Sequence, residues 1–169
     1  GETSTFALEA RKPFLYFKPC LRTPGGGVLW SVGPNMLVAM TTRGTRDVFP
    51  YFEGSAAGSF SEVLELDSTI LGRKHRLRIY LPPGYRENTL RRHPVLYMQD
   101  GQNLFDRTTS FAGEWQVDET MEALSQEGLE AIVVGIPNLG ERRMAEYSPF
   151  PHRGRPGRGD HYLAFIVET

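Results

Sequence analysis

The chain has 169 residues, 40% of them hydrophobic and 23% charged, a balance that suits a folded polypeptide and excludes a disordered one. Nineteen Lys and Arg face twenty Asp and Glu, so a net charge of −1 gives no bulk attraction for nucleic acid or a membrane surface, and neither is expected as a partner. The lone cysteine, Cys20, excludes an internal disulfide and every multi-cysteine zinc pattern, and it reads as a small core residue.

No apolar run approaches the roughly 18 residues that a membrane-crossing helix needs. The opening GETSTFALEARKPF lacks the basic-then-apolar order of a signal peptide. Together with the single thiol, these features lead us to expect a soluble protein, with the cytoplasm favoured.

Residues 1–60 are rich in Gly, Pro, Thr and aromatics. Short apolar runs at Phe14–Phe17, Val28–Trp30, Met36–Met40 and Val48–Phe52 alternate with turn signals such as Thr23-Pro24-Gly25-Gly26-Gly27 and Gly33-Pro34-Asn35. Strands at such spacing predict a small β-sandwich-like region, or part of one. Glu53 to Ser59 has linker composition.

From residue 61 the pattern changes. Ser61–Leu66 and His75–Leu81 read as antiparallel strands joined through Leu71-Gly72-Arg73. In the second, Leu77, Ile79 and Leu81 alternate with Arg76, Arg78 and Tyr80, the period of a half-buried strand near a sheet edge. Val95–Gln99 lacks clean alternation and reads as a strand buried on both faces. Val117–Gln126 carries Val117, Met121 and Leu124 at helical spacing with acids early. Ala131–Ile136 is a further buried strand, and Asp160 is the expected N-cap of a helix through Tyr162, Leu163, Phe165, Ile166 and Val167. Two antiparallel strands, then strand, helix, strand and helix, predict an α/β sheet whose parallel part is central. That last helix meets no cap and no following strand before Thr169, so the α/β sheet is expected to be incomplete, with residues 61–169 forming its front portion.

The loop Asp100-Gly101-Gln102-Asn103 follows the strand Val95–Gln99, at the end where open α/β folds bind ligands. Gly101 permits a positive φ or a close backbone approach. Two readings of this loop stand at this point: free amides that hold a developing oxyanion, or an Asx turn made by Asp100 and Asn103. The segment from Arg142 to Arg158 holds five arginines (Arg142, Arg143, Arg153, Arg155 and Arg158) amid Gly and Pro, and reads as a solvated loop able to meet an anion.

Several stretches are collinear with one known group. Ile79-Tyr80-Leu81-Pro82-Pro83-Gly84-Tyr85 leads to His93-Pro94-Val95-Leu96-Tyr97-Met98-Gln99-Asp100-Gly101-Gln102-Asn103-Leu104-Phe105. Glu114-Trp115-Gln116-Val117-Asp118-Glu119 follows, then Ile132-Val133-Val134-Gly135-Ile136-Pro137-Asn138, Glu141-Arg142-Arg143 and Glu146-Tyr147-Ser148-Pro149. With the helix from Asp160, these make residues 62–169 resemble the Putative esterase family of α/β-hydrolases, which is similar to feruloyl, acetyl-xylan and enterochelin esterases.

The resemblance implies a serine hydrolase that cleaves small-molecule or glycan-linked carboxylic esters through an acyl-enzyme, with no cofactor and no metal. It implies that Gly101 or, better, Gln102 donates an oxyanion-hole amide, supported by Asp100 and Asn103. It sets Trp115, on a helix start, and Tyr147 to Phe150 beside a substrate pocket. It also marks a departure. The family's Gly-x-Ser-x-Gly elbow does not occur among the nine serines here; the acid and the histidine of the triad are expected later still. His75, His93, His152 and His161 read as structural or solvated. The isolated chain is therefore expected to be inactive.

Residues 1–60 resemble, more weakly, immunoglobulin-like or carbohydrate-binding modules. Trp30, Tyr16, Tyr51 and Phe52 then serve as a sugar-stacking face or as core. This gives the alternative function, a glycan- or partner-binding β-module joined to a non-catalytic α/β remnant. A metal hydrolase is more distant still, since Asp100, Asp106, His93 and Glu114 lack ligand spacing.

Overall fold

The computed structural model describes residues 3–7, 12–40 and 44–168. Contacts divide the chain into two compact units that interleave in sequence: one from residues 1–59, 81–94 and 119–131, the other from residues 60–80, 95–118 and 132–169.

In the first unit, β1 (Phe14–Phe17) and β2 (Cys20–Arg22) are followed by β3 (Val28–Trp30) and β4 (Met36–Ala39). β1 pairs antiparallel with β4, Phe14 opposite Ala39, and β2 with β3, Cys20 opposite Trp30. The tight β2–β3 connection closes through Thr23, whose amide donates to Gly27 O at 3.0 Å and whose Oγ1 accepts from Gly27 N at 3.0 Å. The run Val48–Phe52 is not a strand: Pro50 cannot donate to a ladder, and Tyr51 is used as a plug instead. Tyr51 O accepts from Val32 N at 2.8 Å, and the buried ring lies where a Cβ on Gly84 would stand 2.6 Å from it. Tyr51 thus belongs to the core and to no stacking face. Glu87 holds the neighbouring backbone, accepting from Phe52 N at 2.9 Å and Glu53 N at 3.1 Å. Cys20 is exposed, against the expectation of a core thiol, because its ladder has two strands and, among the described residues, no third at its side.

The second unit is organised on β5 (Ser59–Phe60), β6 (Leu64–Ser68), β7 (Arg73–Leu81), β8 (Val95–Gln99) and β9 (Ile132–Ile136), in the order β5-β7-β9-β8 with β6 also on β7. β7 is antiparallel to β6 and to β9, whereas β8 and β9 are parallel, Val95 opposite Ile132 and Gln99 opposite Ile136. Helix α1 (Val117–Gln126) lies in the chain between β8 and β9. The mixed sheet and its crossover agree with the α/β expectation. β7 does not lie at an edge, since it has neighbours on both sides. β8 does, and this corrects its expected two-sided burial: paired among the described residues with β9 alone, it leaves Val95, Leu96 and Tyr97 41%, 46% and 64% exposed.

One face of the sheet is closed by helix α3 (Gly159–Glu168), which follows the short helix α2 (Arg143–Tyr147). Tyr162 and Phe165 on α3 pack with Leu71, Leu77, Val134 and Ile136 into the core of this unit. Each such buried side chain contributes about 1.5–3 kcal/mol. His75 stacks on Phe165 with ring centroids 4.0 Å apart. Glu146, buried on α2, accepts twice from Arg73 Nη2 at 2.9 Å. Helix α3 begins at Gly159, so Asp160 stands in its first turn and is not the cap. There its carboxylate still faces the positive end of the helix dipole.

No helix among the described residues is long and apolar enough to cross a membrane.

Candidate functional site

Strand β8 ends at Gln99, and the next residue breaks the direction of the chain. Asp100 sits at φ 57°, ψ 40°, a left-handed conformation that Asp tolerates better than most side chains, and Gly101–Asn103 form a single 3-10 turn. The turn's first bond runs from Asn103 N to Asp100 O at 2.8 Å. The amides of Gly101 and Gln102 precede it, as the first N–H groups of any helical turn do.

Asp100 is the hub. Its Oδ1 accepts from Asn138 Nδ2 at 2.6 Å, from Arg143 Nε at 2.9 Å and from the Tyr147 hydroxyl at 3.1 Å, while Oδ2 accepts from Arg143 Nη2 at 2.7 Å. This carboxylate does not fold back on its own backbone as an Asx turn would. It ties the end of β8 to the segment after β9 and to α2. The Arg143 hydrogen bonds, aided by Asn138 and Tyr147, hold its carboxyl down at about 2 against the opposing effect of burial. Burial, with the charge of Asp100 close by, pushes the Tyr147 phenol well above its ordinary range, so it stays a donor. The Arg143 guanidinium also lies 4.7 Å from the centroid of the Tyr147 ring.

The other residues of the loop have separate tasks. Gly101 is buried against β9: a Cβ there would stand 2.5 Å from Ile136 N, so close backbone approach, and not a positive φ, is what requires glycine. Beneath the following residues, Gly135 leaves room for Leu104 and Phe105, each with an atom 3.1 Å from where its Cβ would be. Gln102 Oε1 accepts from Asn138 N at 3.2 Å. Asn103 is buried; its Oδ1 accepts from Phe111 N at 3.1 Å and Ser110 Oγ at 3.2 Å, and its backbone oxygen from Trp115 N at 2.8 Å.

Asp100, Gly101, Gln102, Asn103 and Tyr147 therefore meet in one network. Trp115 joins it only through its backbone; it lies ahead of α1 and not on the helix, with its side chain 49% exposed. Phe150 stands apart at 72% exposure, its amide donating to Ser148 Oγ at 3.1 Å. Sequence reasoning missed Asn138 and Arg143. Their only signal was position: Asn138 comes just after β9, level with the end of β8, and Arg143 lies one helical turn before Tyr147. Among the described residues no serine is hydrogen-bonded to a histidine, and His75 is occupied in the core, where burial and the Arg73 charge lower its pKa to about 4.

The family described as "Putative esterase" matches residues 68–169, and the chain belongs to it. Among solved structures, an IroE-like serine hydrolase from Shewanella oneidensis is similar at 25% identity and a TM-score of 0.50, over 66% of this chain and 35% of that one. A ferulic acid esterase is similar at 23% identity and TM-score 0.38, over 47% of this chain and 30% of that one. The BES protein from Bacillus cereus follows at 20% and 0.47, over 76% and 47%. The chain thus spans about a third to a half of the length of these structures. No curated protein matches it.

Proposed function

We propose that this chain is the front portion of a serine carboxylic-ester hydrolase working through an acyl-enzyme, and that the Asp100–Asn103 turn supplies part of its oxyanion hole. The observation that carries the reading is the turn itself. Two leading amides are held at the end of a parallel strand by a carboxylate with four side-chain hydrogen bonds. When a serine adds to an ester carbonyl, charge gathers on the carbonyl oxygen. A fixed N–H about 2.7–3.1 Å from that oxygen lowers the barrier because it needs no reorganisation. Gln102 is the fitter donor, since Gly101 is packed against Ile136.

In this reading Asp100, Asn138, Arg143 and Tyr147 position the turn and do not touch the substrate, while Trp115 and Phe150 line the approach for a small-molecule or glycan-linked ester. The nucleophile, its acid and its histidine come from residues beyond these 169, so the isolated chain does not turn over. The open edge of β8 supports a neighbouring strand in the whole protein. The test is a fluorophosphonate probe with intact-mass detection, applied to this chain and to the product of the gene read beyond Thr169. The expected result is no adduct on the first and one on the second, accompanied by hydrolysis of p-nitrophenyl acetate. An adduct on the chain alone would sink the front-portion reading, and a complete protein inert toward every ester would sink the esterase.

A second reading rests on Trp30 and Tyr16, 58% and 60% exposed on the ladders of the first unit, where aromatic faces are free to stack on sugar rings. Glycan-array binding that disappears in Trp30→Ala with folding retained would support it, and no binding to any polysaccharide would remove it.

A further inference from the structure

Of the five arginines between Arg142 and Arg158, only Arg143 has a carboxylate partner among the described residues. Two of the others are gathered in one place. Gly140, Glu141, Met144 and Ala145 form one wall of an open cleft of about 480 Å³, and His152, Arg153 and Arg155 form the other. Neither Arg153 nor Arg155 makes an ion pair among the described residues, and Glu141 is the single acid on the lining.

This wall is a built turn and not a loose loop. His152 N donates to Arg155 O at 2.9 Å and Arg155 N to His152 O at 3.0 Å, closing a two-residue hairpin. At its tip Arg153 and Gly154 both take positive φ, 48° and 74°. Positive φ at both central residues is the backbone that a tight two-residue hairpin requires, so the turn is well defined. The base of the hairpin is anchored on both sides. Arg158 N donates to Ala145 O at 2.7 Å and Gly159 N to Ser148 O at 3.0 Å, and the backbone beside Pro149 passes so close to Gly157 and Gly159 that neither position has room for a Cβ. Arg153 and Arg155 both line the cleft and Glu141 is its one carboxylate, so the lining carries a net positive charge that favours an anion. Their forked donors match carboxylate and phosphate oxygens.

The geometry points to a binding site for a small polyanion, bearing carboxylate or phosphate groups, between the Arg153–Arg155 hairpin and the Gly140–Ala145 segment. It goes beyond ester cleavage and is measured without it. Calorimetric titration of the chain at low ionic strength with tripolyphosphate, and separately with citrate, tests it. One-to-one saturable binding is expected for at least one probe, and the probe preferred identifies the anion's chemistry. Added salt should weaken it, and Arg153→Asn/Arg155→Ser should raise the Kd at least tenfold. Asn accepts the left-handed backbone at 153, so the variant's circular dichroism should match the parent's. Arg153→Lys/Arg155→Lys, which keeps the charge, should bind within a few-fold of the parent. The assignment is overturned if neither probe saturates, if Arg153→Asn/Arg155→Ser binds as the parent does, or if the exposed control Arg107→Ser weakens binding equally.

Discussion

Strands β1–β4 and strands β7 and β9 both carry large apolar residues, yet those residues end in different surroundings. In the first group Tyr16, Leu21, Leu29, Trp30 and Leu37 remain between 44% and 60% exposed. In the second, Leu77, Tyr80, Val133 and Val134 fall to 8% or less, because α3 covers one face of the sheet and the segment after β8 brings Leu104 and Phe105 onto Gly135. A two-stranded ladder buries little by itself, and only a third strand or a packed helix turns apolar alternation into core. Apolar pattern marks a strand; its covering layer decides what the strand is worth.

The largest effect that separates the two regions should come from Glu146→Ala. It would strand Arg73 beside Tyr162 in the second unit's core, and breaking such a buried pair from one side costs about 3–5 kcal/mol. Trp30→Ala, on an exposed ladder, should cost under about 1 kcal/mol. Urea unfolding of the two variants checks the contrast, and equal losses would break it. Gly101→Ala comes next. Its methyl meets the backbone of β9 and should cost about 1–3 kcal/mol, as overpacking does, whereas Gly25→Ala, with nothing within 4 Å, should be nearly silent.

Titration sharpens the comparison further. His75 is an imidazole whose native pKa, about 4, lies below its ordinary 6.5. The folded form binds its proton less well than the unfolded form, so stability is full above pH 6.5 and falls as the pH drops toward 4. Asp100 adds a second, lower window: its carboxylate, ordinarily at 3.8 and held at about 2, contributes fully above pH 4 and loses its contribution between 4 and 2. Unfolding midpoints followed from pH 7.5 to 2.5 should therefore descend in two stages. His75→Phe should flatten the upper stage, while Arg143→Ala should weaken the lower one and leave the upper intact. Arg143→Ala moving only the upper stage would show that Asp100 is not the group being held.

Much of the stretch from residue 61 onward is legible in the sequence. Val117–Gln126 follows its apolar helical spacing to the residue, and β9 matches the continuous apolar run Ala131–Ile136 to within one residue. Asp100 to Asn103 could be singled out because a buried strand running into Asp-Gly-Gln-Asn is chemically unusual. What could not be read was which side chains hold Asp100. Arg143 lies 43 positions away and Asn138 lies 38, and nothing local distinguishes Arg143 from its four neighbours in the arginine-rich segment. Burial at an edge is equally non-local: Val95–Gln99 looks two-sided because its apolar residues do not alternate, and only the strand order shows that one side has no partner among the described residues.

Cys20 isolates the same issue at the smallest energetic scale. Its composition suggested a core position, since free cysteine is among the most buried residue types, but the thiol lies exposed on a two-stranded ladder opposite Trp30. Replacing it by serine should then change stability by less than about 0.5 kcal/mol, as exposed substitutions do. A thiol reagent such as dithionitrobenzoate should modify the native protein fully, at a rate within a few-fold of that in denaturant. A rate suppressed by several orders of magnitude would mean that Cys20 is reached only by unfolding. In that event the ladder would have a cover in solution, and the exposed aromatic face proposed for sugar stacking would be lost with it.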